Sequence, residues 1–309
     1  MVLGEKLNNP YALEVMQAAV ESLTPADKPV PTLMVTDLYV RFLPKDSTEL
    51  AILYDVEKLE LFDYPLDYEI MVEGDYYHDP SIPEGNPTWL YTTVAPDYEF
   101  PDVEYEILET CYIPQEVSVK SSSSDTFSPE DLEREAYRLA GLDSMWIDGP
   151  LTRAAEYPSG KFTVYDTETQ EYVPVKGVKI RVHNIIKWAT AYTDQNGCYT
   201  IGKKYRTNVH YAMVFKNTKG FKVWGNWAML VSLVYHSGDT GNFNDIVNHN
   251  SVSVYSLILA DKFGKIFHSP ILNEELKNNP DFGSWKETTN SKTTKWTFIC
   301  NRTEPIFSN

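Results

Sequence analysis

The chain has 309 residues, with 44 Asp and Glu against 27 Lys and Arg, giving a formal charge of −17. So acidic a molecule is repelled by phosphate backbones and anionic lipid, which sets aside nucleic acid and membrane surfaces as partners of the whole chain. Hydrophobic residues at 42% and aromatics at 13% suffice for packed cores and exclude a wholly disordered chain, and no run of about 18 apolar residues is present to span a bilayer.

The charge is unevenly spread. Residues 1–150 hold 31 acids and 8 bases, whereas residues 151–309 hold 13 and 19. With a length that suits two domains or three, this asymmetry predicts an acidic domain over 1–150 and a basic remainder. A solvated acidic face is one reading of it; docking of the acidic half on the basic half is the other. No D-x-[DN]-x-[DN]-G loop marks the acids for calcium. Tyr, at 21 residues against 13 Phe, favours strand-rich surfaces over helix bundles. Cys111, Cys198 and Cys300 are too few and too scattered for a disulfide framework, and Cys198, in an apolar run, is expected in a core. Met1-Val2-Leu3-Gly4-Glu5-Lys6 has no apolar leader segment, so any signal or lipid anchor is expected outside this chain.

The first predicted element is a helix, with Asn9 as cap, Pro10 in the first turn, and Leu13, Met16, Val20 and Leu23 on one face. Pro25, Pro29 and Pro31 stop it. Strands follow. Leu38, Val40 and Phe42 alternate with Tyr39 and Arg41; 68–72 and 88–94 are rich in β-formers; Val103, Tyr105 and Ile107 alternate with Glu104 and Glu106, predicting one wet, acidic face. The expectation is an antiparallel sheet with one leading helix. Ser121 to Ser124 reads as a flexible stretch. A second helix then opens on Ser128-Pro129-Glu130-Asp131, carries Leu132, Ala136 and Leu139 as its apolar stripe, and ends at Gly141. The domain junction is expected within 141–158.

From Gly160 short strands alternate with turns: 161–166, 173–182, 189–193, Cys198 to Ile201, 208–215 and 229–235. Val178, Ile180 and Val182 alternate with Lys179, Arg181 and His183, predicting a half-buried strand, and Asn196-Gly197 predicts a two-residue hairpin turn. In the tail, 253–260 reads as a strand or short helix, 273–279 as a polar helix and 296–300 as a last strand.

Gly177-Val178, Thr193-Asp194-Gln195-Asn196-Gly197 and Tyr199-Thr200-Ile201 resemble the recurring pattern of the carboxypeptidase regulatory-like domain, a transthyretin-like β-sandwich. The resemblance covers roughly 158–235 and departs at Cys198, where the family often has a charged or bulky residue. It implies a transthyretin-like antiparallel sandwich over 151–240; with the residue patterns this makes a mainly β chain, with an acidic α+β domain with a leading helix over 1–150 and a tail over 241–309 that completes the sandwich or begins a further unit. The layout, an Asn-Pro-Tyr helix, an acidic strand region, a Glu-Arg-Glu-Ala-Tyr-Arg-Leu helix and then this module, is similar to large surface proteins and lipoproteins of Bacteroidetes. Some of those continue into a zinc-peptidase-like domain, but no H-E-x-x-H occurs here.

Four groups of side chains invite a chemical reading. Asp239, Asn242, Asn244 and Asp245, in what reads as a polar loop over 237–245, offer oxygen ligands for calcium, although a plain turn-rich loop has the same composition. His236, His249 and His268 are candidates for a metal, at spacings that match no ligand rhythm. Trp188, Trp224 and Trp227 suit either a glycan-stacking platform or a core between sheets. Lys203-Lys204-Tyr205-Arg206 reads as a basic hairpin end, solvated or serving as the docking patch for the acidic half. No Ser-His-Asp, catalytic-Cys or phosphate-loop motif is present. The sequence therefore leads to a non-enzymatic, exported surface protein with no cofactor that acts in binding a protein or glycan, or as a spacer. The alternatives are the non-catalytic front part of a zinc-peptidase-like protein, or a degenerate one, and a glycan-binding module.

Overall fold

The computed structural model describes residues 1–55, 59–72, 77–83, 85–115, 127–150, 156–166, 171–174, 176–214, 233–238, 242–247, 284–289 and 294–299. The chain is mainly β and divides into two units. The first comprises Met1–Pro150 together with His183–Trp188 and Lys203–Val209; the second comprises Leu151–Val182, Ala189–Gly202 and His210–Asn309.

The first unit holds, in chain order, β1 (Val2–Lys6), α1 (Leu13–Leu23), β2 (Asp37–Leu43), α2 (Ser47–Asp55), β3 (Tyr68–Val72), β4 (Leu90–Val94), β5 (Glu104–Cys111) and α3 (Pro129–Leu139). β1 pairs with β3, and β2 lies between β4 and β5 in an antiparallel three-stranded sheet. Alternation along β2 puts Leu38, Val40 and Phe42 on one face. They pack with Leu90 and Val94 of β4 and with Leu50 and Leu53 of α2. Each such fully buried side chain contributes about 1.5–3 kcal/mol.

Helix α2 falls where strands alone were expected. Asp46 Oδ1 accepts the amides of Thr48 at 2.8 Å and Glu49 at 3.0 Å, and the Glu49 carboxylate accepts that of Lys45 at 2.9 Å. That is the Asp-x-x-Glu start signal of a helix, short enough to pass unnoticed between strand-like runs. Helix α1 also starts later than expected, with Ala12 at its cap. Asn9 instead closes an Asx turn by accepting the Tyr11 amide at 3.0 Å, and its own amide donates to Glu109 at 2.6 Å. Helix α3 has the expected capping box between Ser128 and Asp131. It ends in a Schellman motif: Gly141 takes φ +78°, and Leu142 N–H donates to Tyr137 C=O at 2.9 Å. Tyr137, not Leu139, completes the buried stripe with Leu132 and Ala136; Leu139 is exposed. Along β5 the expected single wet face is also corrected, because Tyr105 and Ile107 are exposed with the glutamates.

The second unit carries β6 (Ser159–Asp166), β7 (Glu171–Pro174), β8 (Lys179–Asn184), β9 (Lys187–Tyr192), β10 (Cys198–Thr200), β11 (Val209–Val214), β12 (Leu233–Gly238), β13 (Asn242–Val247), β14 (Ser284–Thr289) and β15 (Thr294–Ile299), the 183–188 tip of β8 and β9 belonging to the first unit. β10 and β7 share one edge of β6, antiparallel to it, while β13 runs parallel along the other, so the all-antiparallel expectation does not hold for this sheet. The second sheet has the order β12-β11-β8-β9, and β14 pairs with β15.

Val178, Ile180 and Ile201 lie in or beside strands and are fully buried. β8 is buried on both faces rather than half buried, since Arg181 and His183 are enclosed too. The Asn196-Gly197 corner links β9 to β10, which belong to different sheets, so it is not the predicted hairpin. Asp194 Oδ1 accepts the amides of Asn196 at 2.8 Å and Cys198 at 2.9 Å, and only Gly197 takes positive φ, at +75°. The two-residue turn is Ile185-Ile186, between β8 and β9. Cys198, expected in a core, is exposed, because it leaves that corner as the first residue of β10.

Candidate functional site

Among the described residues, a group of buried polar side chains gathers in the first unit, where α3, the segment before α1 and the 183–188 turn converge. A charge taken out of water is costly unless paired and hydrogen-bonded, so each partner decides whether the group holds. Glu133 of α3 accepts from Lys187 Nζ at 2.7 Å and from the Tyr11 hydroxyl. Tyr11 and Tyr137 hydroxyls are 3.3 Å apart, and their rings meet edge-on. Tyr137 donates to Asn184 Oδ1, and Asn184 Nδ2 donates to the Asn208 carbonyl at 2.7 Å. The Lys187 ammonium also faces the Tyr205 ring, 5.2 Å from its centroid. Beside this chain, the Tyr64 hydroxyl lies 2.7 Å from His183 Nε2, and Phe62 meets the His183 ring edge-on. His183 Nδ1 lies 3.3 Å from the Ile185 carbonyl, which matches the tautomer protonated there and accepting from Tyr64.

Ile185 holds this arrangement at a backbone cost. Its φ of +47° is the left-handed region, which a β-branched residue avoids, yet Ile185 and Ile186 are both buried.

Burial, aided by the Glu133 charge, raises Tyr11 and Tyr137 well above the usual phenol value. Both stay protonated and act as fixed donors. Nearby, burial lowers Lys203 while the Asp37 carboxylate opposes the fall, and burial raises Asp37 against its bond from Thr36. Glu130 at the start of α3 pairs with Lys204 at 2.7 Å and Arg206 at 2.9 Å; burial opposes its ionisation, but these bases prevail and lower it. The basic run 203–206 is thus no hairpin end: Lys204 and Arg206 are ion-paired within the first unit. A cleft of about 350 Å³ along α3 is lined by Leu23, Asp131, Arg134, Glu135, Arg138 and Asp143. Glu135 pairs with Arg138, Arg134 with Asp148, and Asp131 with Ser128. Across the cluster and the cleft, donors and acceptors bind one another, an arrangement that fixes elements in position.

Of the residues singled out from sequence, Trp188 is half buried, donates its indole N–H to Thr93 Oγ1 at 2.8 Å, and lies under Lys203 at 5.8 Å. Trp224, Trp227, Asp239, His249 and His268 lie outside the described residues. Asn242, Asn244 and Asp245 stand on β13 and His236 on β12, so strands flank the point where a loop over 237–245 was expected. Among the described residues no three His, Cys, Asp or Glu side chains gather as a metal-binding group. Sequence reading missed Tyr11, Glu133, Tyr137 and Lys187; Lys187 beside Ile185-Ile186 was the one local signal, a charge abutting an apolar pair.

No protein-family description matches the chain, and no curated protein matches it. Among solved structures it is similar to an (S)-allantoin synthase, at TM-score 0.20 and 12% identity over 38% of this chain and 46% of that one. It is likewise similar to a 9R-lipoxygenase from Cyanothece PCC8801, at TM-score 0.19 and 12% identity over 50% of this chain and 24% of that one. The chain thus spans less than half the length of either, and likeness at this level carries no argument about fold or activity.

Proposed function

We propose that the chain is a non-catalytic, exported bacterial surface protein of the Bacteroidetes type. Its second unit is a transthyretin-like sandwich of the carboxypeptidase regulatory-like kind, and it acts in binding or as a spacer. The observation that carries this reading is the corner at Asp194–Gly197. It joins strands of two different sheets, with Val178, Ile180 and Ile201 fully buried around the quoted pattern. The use of Glu133, Lys187, Tyr11 and Tyr137 on one another supports a structural role for the most chemically endowed cluster. Docking of acidic on basic sequence is supported by Glu130 and Glu133, from the acidic part, which take Lys204, Arg206 and Lys187 from the basic part.

The test is surface labelling of intact cells of the native host with a membrane-impermeant biotin ester, followed by fractionation. The protein is expected in the labelled envelope fraction. Recovery only as unlabelled protein, with a cytoplasmic marker, overturns the reading.

A further inference from the structure

β5 is an edge strand: β2 covers one side, and among the described residues no strand pairs with the other along Glu104–Thr110. The open stretch is bounded. At its far end Cys111 bridges to Ala12, and a bulge at Leu108 breaks register with β2; before the bulge, Glu104, Tyr105, Glu106 and Ile107 lie opposite Leu43, Phe42, Arg41 and Val40 in regular order.

Apolar side chains along this stretch reach the surface. Tyr105 and Ile107 are 43% and 51% exposed and Leu108 is 39% exposed. Tyr105 and Ile107 lie across from Phe42 and Val40, on the face that carries the core, so that apolar face continues to the edge of the sheet with part of it exposed. Phe100 stacks on Tyr105 at 4.0 Å and holds its ring. Natural sheets blunt such edges with short strands, charges or bulges, because a row of unpaired backbone groups templates another strand; here the bulge at Leu108 and the glutamates limit and select what can pair. Between the apolar residues come acids: Asp97, Glu99, Asp102, Glu104, Glu106 and Glu109, with no Lys or Arg from 96 to 111. A second copy of this strand would set carboxylates against carboxylates, which disfavours self-pairing.

We propose that the outer edge of β5 takes up an extended segment of another protein in which apolar residues alternate with Lys or Arg. The added strand bonds main chain to main chain along Glu104–Ile107. Its apolar side chains extend the face of Tyr105 and Ile107, and its bases lie beside Glu104 and Glu106. Arg41 already pairs with Glu106 at 2.5 Å. The proposal goes beyond the surface-protein reading and does not depend on where the protein resides.

The test titrates the full chain with a fluorescent eight-residue peptide of alternating Lys and Val, matched to the length of β5. Two controls accompany it: the same peptide N-methylated along its bonding edge, and a Glu-Val counterpart. Expected are saturable binding of the Lys-Val peptide, loss of about tenfold or more in affinity on N-methylation, no binding of the Glu-Val peptide, and slowed hydrogen exchange of the 104–107 amides in the complex. The variant Glu104→Lys/Ile107→Lys, both exposed positions, is expected to abolish binding while its thermal melt stays near the parent's. Tyr105→Thr/Ile107→Thr serves as a second variant should the first fail to fold, and is expected to weaken binding. Equal binding of the N-methylated peptide, undiminished binding by a folded variant, or no binding at all overturns the proposal. So does a dimer in sedimentation that Ile107→Lys dissociates, which would make a second copy the occupant.

Discussion

Lys187 Nζ lies 2.7 Å from Glu133 Oε1 across 54 residues of sequence, and both side chains are nearly excluded from solvent. Lys187→Met leaves a buried carboxylate without its cation and is expected to destabilise the protein by about 3–5 kcal/mol. The double variant Lys187→Met/Glu133→Gln removes both charges and is expected to recover a good part of the loss. Urea denaturation of the two variants and the parent checks this. A single variant that costs no more than an exposed pair, about 0–1 kcal/mol, removes Glu133 and Lys187 from the role assigned to them.

Tyr11, Tyr39 and Tyr137 are raised above the usual phenol value of 10.0 by burial, and burial raises Tyr91 to about 12. A raised value means that the folded state holds the proton after the unfolded chain has released it. The stabilisation is therefore fully present below pH 10 and is lost as pH rises towards the folded values. Chemical denaturation is expected to give nearly level tyrosine-linked stability from neutral pH to just below 10, then a steep fall. Ultraviolet titration is expected to find these four phenols ionising only with unfolding. Their titration together with the exposed tyrosines would contradict it.

Cys111 is buried, and burial pushes its thiol up to about 12, whereas Cys198 is exposed. Brief iodoacetamide treatment followed by peptide mass mapping is expected to label Cys198 in the native protein and Cys111 only after denaturation. Native labelling of Cys111 would mean that the sheet around it opens readily.

Ile185 and Ile186 are buried alike, but only Ile185 has positive φ. Replacing either by Gly removes similar apolar burial, and at Ile185 it also relieves backbone strain. Ile185→Gly is expected to cost less than Ile186→Gly by about 1–3 kcal/mol, read from paired urea melts. Equal losses would mean that the turn is unstrained.

The parts of this fold that were legible in the sequence are those settled within a few residues. The capping box at Ser128 and Asp131, the Gly141 stop and the β-former runs that became β2, β4 and β8 all carry their cause locally. What was missed depends on partners far along the chain. Lys187 abuts an apolar pair, but its partner Glu133 lies 54 residues away. Tyr105 and Ile107 read as buried until β5 proves to be an edge. Cys198 misled for another reason: alternation along β10 gives the inward place to Tyr199 and leaves Cys198 outside. Trp188, offered by the sequence as a glycan platform or a core residue, is half buried, and its bond to Thr93 joins positions 95 residues apart that no local pattern links.

The first unit borrows two short pieces, 183–188 and 203–209, from within the sequence of the second. Genes that recombine at a linker normally exchange whole modules, and here a crossover near residue 150 would bring in foreign residues at both borrowed stretches. The newcomer would need a lysine to meet Glu133, an amide to meet Tyr137 and bases to meet Glu130. Descent of this protein by shuffling of its second part is thereby restricted to donors that carry the same few side chains.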